Sequence, residues 1–264
     1  MLKKNYVLYV IGTYVLFYLL MILTGVVMMV TGNKNVSQIA VVVCSWGPTM
    51  VLLVLFKRLV PDTSRIDFFK KLFKERVNLK LIGMITLIQI LIFGIGVWCI
   101  SCQNGVSMWT VINLSLATIG YGLFNSLITG ATGEESGWRG FLQPIFVKKS
   151  GVIKGSIVVG IIWGFWHAPL WFFASAYTGM DLLVYIIAFL IAVISMAVMM
   201  GICYDYNRNL VVPMWIHFLF NFTASLFVGN ILNLIVWIAV FYGVAAVGFT
   251  VWYRRAPNAL LNRV

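Results

Sequence analysis

Long apolar runs alternate along the chain with short segments that hold nearly all of the charged residues. A run of roughly 20 apolar residues is long enough to cross the hydrocarbon core of a bilayer as a helix. The runs of this length predict eight spans: Tyr6–Val30, Ser37–Phe56, Leu81–Cys102, Trp109–Phe146 (interrupted by the acidic motif Gly133–Arg139), Ile157–Phe173, Leu182–Tyr204, Leu210–Val228 and Ile231–Tyr253. The predicted fold class is therefore an all-α polytopic membrane helix bundle.

The composition is that of an integral membrane protein. Of the 264 residues, 62% are hydrophobic and 10% are charged, and the mean hydropathy is +0.99, far from the values of soluble domains. Eight spans use most of the length, so we expect one membrane-embedded domain over residues 1–264, with a motif-bearing core at about 120–227. A multi-pass protein of a bacterial plasma membrane is the expected localisation.

The basic residues indicate an orientation. With the N-terminus inside, every Lys and Arg outside the acidic motif except Lys34 falls on the cytoplasmic side. Because basic residues in short loops determine topology, both termini are predicted to be cytoplasmic. The net charge of +12 is then explained by topology and by anionic lipids as partners, and nucleic acid is set aside. Residues 57–80 fit either an amphipathic helix on the inner leaflet or a solvated loop.

The most informative polar stretch is Gly133–Arg139, which places Glu134, Glu135 and Arg139 inside apolar sequence. The chain has only seven acidic residues, and ionisable groups at membrane depth are costly and usually functional. Glu135 and Arg139 are four residues apart with the acid first. They are therefore expected to form a structural ion pair across one helical turn.

Both histidines of the chain lie inside predicted spans. His167 follows Trp163 by four residues and Asn221 follows His217 by four, so each pair shares a helix face. At a rise of about 1.5 Å per residue, Glu134, His167 and His217 lie roughly 14 to 21 Å from the nearest basic residues at the inner face. The three can meet in one layer, which needs a water-filled pocket open to the cytosol.

These side chains suit hydrolysis. A carboxylate in an apolar pocket is a good general base and a neighbouring imidazole can share the proton, so Glu134 with His167 could activate a water. His217 and Asn221 could donate hydrogen bonds to a developing oxyanion. A single intramembrane histidine often makes only an interhelical hydrogen bond. The conjunction of both histidines, the asparagine and the two acids at compatible depths favours a site.

The motifs resemble those of the CPBP intramembrane proteases, the group that includes the CAAX prenyl endopeptidases of the Rce1 type and bacterial Abi proteins. The matching pattern is Glu134-Glu135-x-x-x-Arg139, x-x-x-His167 and His217-x-x-x-Asn221, on three spans within roughly Gly120–Phe227. The family's second motif usually begins with phenylalanine, where Trp163 stands here. The resemblance implies eight membrane helices, water activation by Glu134 and His167, oxyanion binding by His217 and Asn221, and an aromatic support at Trp163.

The predicted function is that of an endopeptidase that cleaves a peptide or membrane-associated protein near the cytoplasmic face. The substrate could be a lipidated CAAX-type tail or a peptide processed in maturation or bacteriocin self-immunity. The alternative is a non-catalytic immunity or partner-binding membrane protein that retains the fold. A transporter that uses the same acids and histidines is disfavoured, because no internal repeat is evident.

Two means of activating the water are open. Glu134, His167 and His217 could bind a catalytic zinc ion with water as the fourth ligand. Zinc would, however, remove His217 from the oxyanion role that its pairing with Asn221 suggests. A buried glutamate tuned by His167 needs no metal, and no His-Glu-x-x-His sequence is present. We therefore expect a metal-independent glutamate protease without a cofactor.

Overall fold

The computed structural model describes the backbone of residues 2–32, 35–173 and 175–255, and their side chains except those of residues 2–4, 35, 37 and 38. Over these ranges the chain is helical and has no β-strand, which confirms the all-α class. Lys34 and Arg263, which enter the topology prediction, lie outside the described residues.

The α-helices are α1 (Leu2–Thr31), α2 (Asn35–Ser45), α3 (Gly47–Val54), α4 (Phe56–Leu59), α5 (Arg65–Leu72), α6 (Leu79–Asn104), α7 (Leu116–Ser126), α8 (Thr132–Glu135), α9 (Gln143–Trp166), α10 (Ala168–Phe173), α11 (Gly179–Asn207), α12 (Val211–Ser225) and α13 (Ile231–Arg255). A 3₁₀ turn covers Met108–Thr110, and two π-helical segments, Leu127–Ala131 and Ser136–Leu142, flank α8.

Four of the helices in the described ranges are long and apolar enough to cross a membrane: α1, α6, α11 and α13. They support the assignment to an integral membrane protein. Helix α12 is apolar but shorter. The count of eight spans and the cytoplasmic termini stay predictions.

Three of the predicted spans are interrupted, and one of them, Ile157–Phe173, is divided at His167 between α9 and α10. Residues 37–56 form parts of three helices, because the chain turns at Trp46 and restarts with Pro48 in the first turn of α3, a position that proline favours. The predicted span from Trp109 begins in the 3₁₀ turn and continues as irregular chain. Helix α7 starts only after Ser115, whose Oγ accepts a hydrogen bond from the backbone N–H of Thr118 (3.3 Å) and so provides its N-cap.

The chain also unwinds between α7 and α8. Thr129 is extended (φ −99°, ψ 149°), and Gly130 has a positive φ of 58°. The carbonyls near this break accept side-chain donors: Asn125 from Thr129 Oγ1 (2.6 Å), Leu127 from Thr132 Oγ1 (2.7 Å) and Ile128 from Trp46 Nε1 (2.9 Å). Backbone groups at membrane depth must be satisfied within the protein, and these contacts satisfy three of the carbonyls near the break.

Hydrogen bonds join the connections at one end of the bundle, which we call the basic face. They link Asn5 Nδ2 to the Arg58 carbonyl (2.9 Å), the Leu210 N–H to the Leu72 carbonyl (2.8 Å), the Asn78 N–H to Asn207 Oδ1 (2.7 Å) and Tyr253 Oη to Asp205 Oδ2 (2.7 Å). Helix α5 lies here with Leu72 buried and its lysines exposed, which supports the amphipathic-helix alternative.

The opposite end of the bundle, which we call the distal face, is tied together in the same way. The Val228 N–H donates to the Val111 carbonyl (3.0 Å), the Asn113 N–H to the Leu226 carbonyl (2.8 Å), and Tyr177 Oη to Asn230 Oδ1 (2.9 Å). The connections at residues 105–115, 175–178 and 226–230 carry no charged side chain. The two faces therefore differ sharply in charge.

Helix α11 packs against both α9 and α13. It approaches α9 closely at Gly160, where an added Cβ would lie 2.9 Å from the Ala197 Cβ and 3.0 Å from the Ile194 Cα. Small residues allow such close approach between membrane helices. Helix α12 is held by a buried polar contact, in which Gln89 Nε2 of α6 donates to Thr223 Oγ1 (2.9 Å).

We expect Gly160→Ala to lower the thermal unfolding temperature in detergent, because the added methyl group forces α9 and α11 apart. The matched control is Gly94→Ala, since a Cβ at Gly94 of α6 meets nothing within 4 Å. The control should be neutral or stabilising, because alanine favours a helix over glycine by about 1 kcal/mol. Equal unfolding temperatures for the two variants would contradict this packing.

Candidate active site

The four side chains predicted to be catalytic line a single cavity of about 340 Å³. Glu134 comes from α8, His167 directly follows α9, and His217 and Asn221 come from α12. Glu134 and His217 are each 4% exposed, while His167 and Asn221 are half-buried. The structure thus brings together the residues that the sequence places at compatible depths, and their catalytic roles stay predictions.

Glu135 has two charged or ionisable partners. Arg139 Nη1 lies 3.1 Å from each of its carboxylate oxygens, and both side chains are fully buried, in the arrangement that their spacing predicts. His217 Nδ1 also donates to Glu135 Oε1 (2.7 Å), a contact that the sequence analysis missed. Glu135 therefore ties α8 to α12, and it leaves the Nε2 atom of His217 for other partners.

Two tryptophans hold the carboxylate of Glu134. The indole N–H groups of Trp163 (2.5 Å) and Trp138 (3.2 Å) both donate to its Oε2 atom. No hydrogen bond to Oε1 occurs within the described part of the chain, so this oxygen is open to a water in the cavity. Trp138 was not predicted, although it follows Glu134 by the same four residues that separate Glu135 from Arg139.

Trp163 contacts every ionisable member of the site except Glu135. The guanidinium carbon of Arg139 lies 4.1 Å from its ring centroid, a cation–π distance. The His217 ring packs edge-on at 5.1 Å between centroids, and the Trp163 carbonyl accepts a hydrogen bond from His167 Nδ1 (2.8 Å). Because Nδ1 of His167 carries the donated proton, its Nε2 atom can accept one.

Within the described residues, no hydrogen bond joins the side chains of Glu134 and His167, although both line the cavity. A proton can therefore pass between them only through a molecule that occupies the space between them.

Gly130 brings the unwound backbone against the oxyanion candidates. A Cβ there would lie 2.6 Å from His217 Nε2 and 3.0 Å from Asn221 Nδ2, and the positive φ also favours glycine. His217 and Asn221 thus reach the same point of the cavity wall. Gly130 was not predicted as part of the site, although a glycine inside an apolar helical run was an available signal.

The side chains of Glu134, His167 and His217 do not form a zinc site in this arrangement. One donor atom of each has a protein partner: Glu134 Oε2 the indoles, His167 Nδ1 a carbonyl, and His217 Nδ1 Glu135. Such partners are also usual for the ligands of a metal ion, so the placement of the three side chains is what argues against zinc. Within the described ranges, no group of three His, Cys, Asp or Glu side chains is placed to hold a metal ion. Metal independence itself stays a prediction.

Comparison with known proteins agrees with the motifs. The family model described as type II CAAX prenyl endopeptidase Rce1-like matches residues 116–223, a range that contains every predicted site residue. The resemblance to the Rce1-like CAAX prenyl proteases is therefore confirmed, and it supports a protease of the membrane. Among curated proteins, the chain is 24% identical over 231 residues to the CAAX prenyl protease 2 of Methanococcus maripaludis, and the match covers 85% of each chain.

We expect Glu135→Gln to lower the free energy of unfolding by roughly 3 kcal/mol, because it leaves the buried Arg139 without its counter-charge. The control is Glu75→Gln, which makes the same change at an exposed carboxylate. Denaturant unfolding of both variants in detergent measures the difference. Equal stability of the two variants would show that the ion pair does not support the fold.

Proposed function

We propose that the protein is an intramembrane endopeptidase that hydrolyses a peptide bond of a membrane-associated peptide or protein in a bacterial plasma membrane. The observation that carries the proposal is that Glu134, His167, His217 and Asn221 face one cavity inside the helix bundle. The similarity to a relative named CAAX prenyl protease 2 supports the protease class. A prenylated or otherwise lipidated substrate is the form that this relationship favours.

Glu134 is the proposed general base. Its Oε2 atom is held by two indole N–H groups, which leaves Oε1 to accept a proton from a water. His167 supports the same water through Nε2, since its Nδ1 proton is committed to the Trp163 carbonyl. A water placed between these two acceptors is deprotonated as it attacks the scissile carbonyl, and the base then returns the proton to the leaving amine.

His217 and Asn221 are the proposed oxyanion donors. Asn221 can donate through Nδ2, which lies against Gly130 beside the His217 ring. Because His217 Nδ1 donates to Glu135, donation from Nε2 requires a proton on both ring nitrogens. The carboxylate of Glu135 balances the positive charge of the doubly protonated His217 ring. The oxyanion would therefore accept a hydrogen bond from an imidazolium that already has a counter-charge.

Replacement of Glu134 tests the base directly. Wild-type protein in detergent is offered a library of lipidated and unlipidated peptides, and cleavage products are identified by mass spectrometry. We expect Glu134→Gln to lower turnover by about 100-fold or more, the usual contribution of a general base, with little loss of folded protein. Glu75→Gln is the matched control and should cleave as wild type.

Undiminished turnover by Glu134→Gln would refute the proposed base. Failure of the folded wild-type protein to cleave any peptide of the library would instead favour the non-catalytic immunity or partner-binding alternative.

Removal of metal tests the mode of water activation. We expect purified protein to retain full activity after exhaustive chelation and to contain less than one equivalent of zinc by elemental analysis. Activity that disappears on chelation and returns with zinc alone would make Glu134, His167 and His217 the ligand set, and would overturn the glutamate mechanism.

A further inference from the structure

We propose that the substrate reaches this site from the distal face, at the end of the bundle opposite the lysines and arginines. With the basic face in the cytoplasm, the substrate is an uncharged peptide segment presented on the extracytoplasmic side of the membrane. The inference rests on the proposed proteolytic function, and it replaces the sequence-based expectation of a pocket open to the cytosol.

The residues of α12 that line the cavity show toward which end of the bundle the cavity opens. The helix leaves the basic face at Leu210, whose N–H is bonded to the Leu72 carbonyl, and the lining begins only at His217. It then continues through Asn221 to Ser225, next to the distal connections. His217 is buried, whereas Asn221 and Ser225 are half-buried, so exposure increases toward the distal face.

In two other helices, the exposure of the side chains also increases toward the distal face. In α1, Tyr9 near the basic face is fully buried and does not line the cavity, while Phe17 and the half-buried Met21 do. At the distal end of α9, Trp166 is 1% exposed, whereas Leu170, one turn further on, is half-buried. Three helices that run from the basic face thus line the cavity only on their distal parts.

A layer of aromatic rings closes the cavity on the basic side. Tyr9 packs edge-on against Trp138 and Phe141, with ring centroids 5.9 and 4.9 Å apart, and its hydroxyl donates to the Pro48 carbonyl (3.2 Å). The layer is tightly packed, since a Cβ at Gly137 would overlap the Tyr9 hydroxyl oxygen at 2.1 Å.

A second, larger groove of about 1020 Å³ lies on the basic side of this layer. It is lined by Phe141, Leu72 and the lysines of α5, and it shares no lining residue with the catalytic cavity. A peptide bound in this groove would be separated from Glu134 by the aromatic layer.

The distal part of the cavity suits a peptide. Asn125, Thr129 and Ser225 contribute polar groups to its wall, and these can satisfy the backbone of a substrate that is withdrawn from water. The connections around it at residues 105–115, 175–178 and 226–230 carry no charge. Asp181, in the first turn of α11, and Lys34, which the topology prediction places on this side, have opposite charges. This end therefore has no net charge, and an uncharged segment is expected.

Cysteine accessibility tests the direction of entry. In a background with the four native cysteines replaced by alanine, Asn125→Cys and Ser225→Cys report on the cavity and Lys71→Cys on the basic face. We expect a membrane-impermeant maleimide to label the two cavity positions in intact cells, and to label position 71 only after lysis.

Labelling of the cavity positions only after lysis, together with position 71, would overturn the proposal. Failure of both cavity positions to react from either side would overturn it as well, because an open, hydrated entrance must be reactive. This readout does not require catalysis, so it stands even if no peptide is cleaved.

Sealed vesicles then test the side on which the substrate acts. Right-side-out vesicles should cleave an impermeant peptide added outside, and inverted vesicles should leave it intact. Cleavage by inverted vesicles alone would contradict entry from the distal face, whereas absence of cleavage after detergent is added would count against the proposed protease function instead.

Discussion

The carboxylate of Glu135 is the contact on which the buried interior depends, since it binds Arg139 of its own segment and His217 of α12. Charges withdrawn from water are tolerated only when they are paired. Two acids here face one guanidinium, so a proton on His217 or Glu134 brings the cluster to neutrality. Charge balance therefore links the fold to the protonation of the residues assigned to catalysis.

Arg139 is held more by charge and packing than by hydrogen-bond geometry. Within the described residues its Nε and Nη2 atoms have no hydrogen-bond partner, while the face of Trp163 covers the guanidinium at 4.1 Å. The same indole donates its N–H to Glu134. A phenylalanine at position 163 would keep the contact between the aromatic ring and Arg139 but would lose the hydrogen bond to Glu134. The two contributions of Trp163 are therefore chemically separable.

The sequence was sufficient for the helical class, the motif residues and the Glu135–Arg139 pair, because these depend on composition and on spacing within one helix. The contact between Glu135 and His217 depends on how two distant helices pack, and no local spacing encodes it. The close approach of His217 and Asn221 to the unwound backbone at Gly130 likewise depends on how α12 packs. The π-helical segments on both sides of α8 are not predicted by the regular spacing of apolar residues in an α-helix. Such segments are nevertheless frequent at functional sites.

The aromatic layer of Tyr9, Trp138 and Phe141 has a consequence for the cell that carries this protein. Hydrolysis at membrane depth needs water, and a water column that reached both surfaces would conduct protons and dissipate the membrane potential. A cavity that ends at closely packed rings is wet from one side only. The bilayer can then stay electrically tight around a hydrolytic centre, because the packed rings separate the water on its two sides.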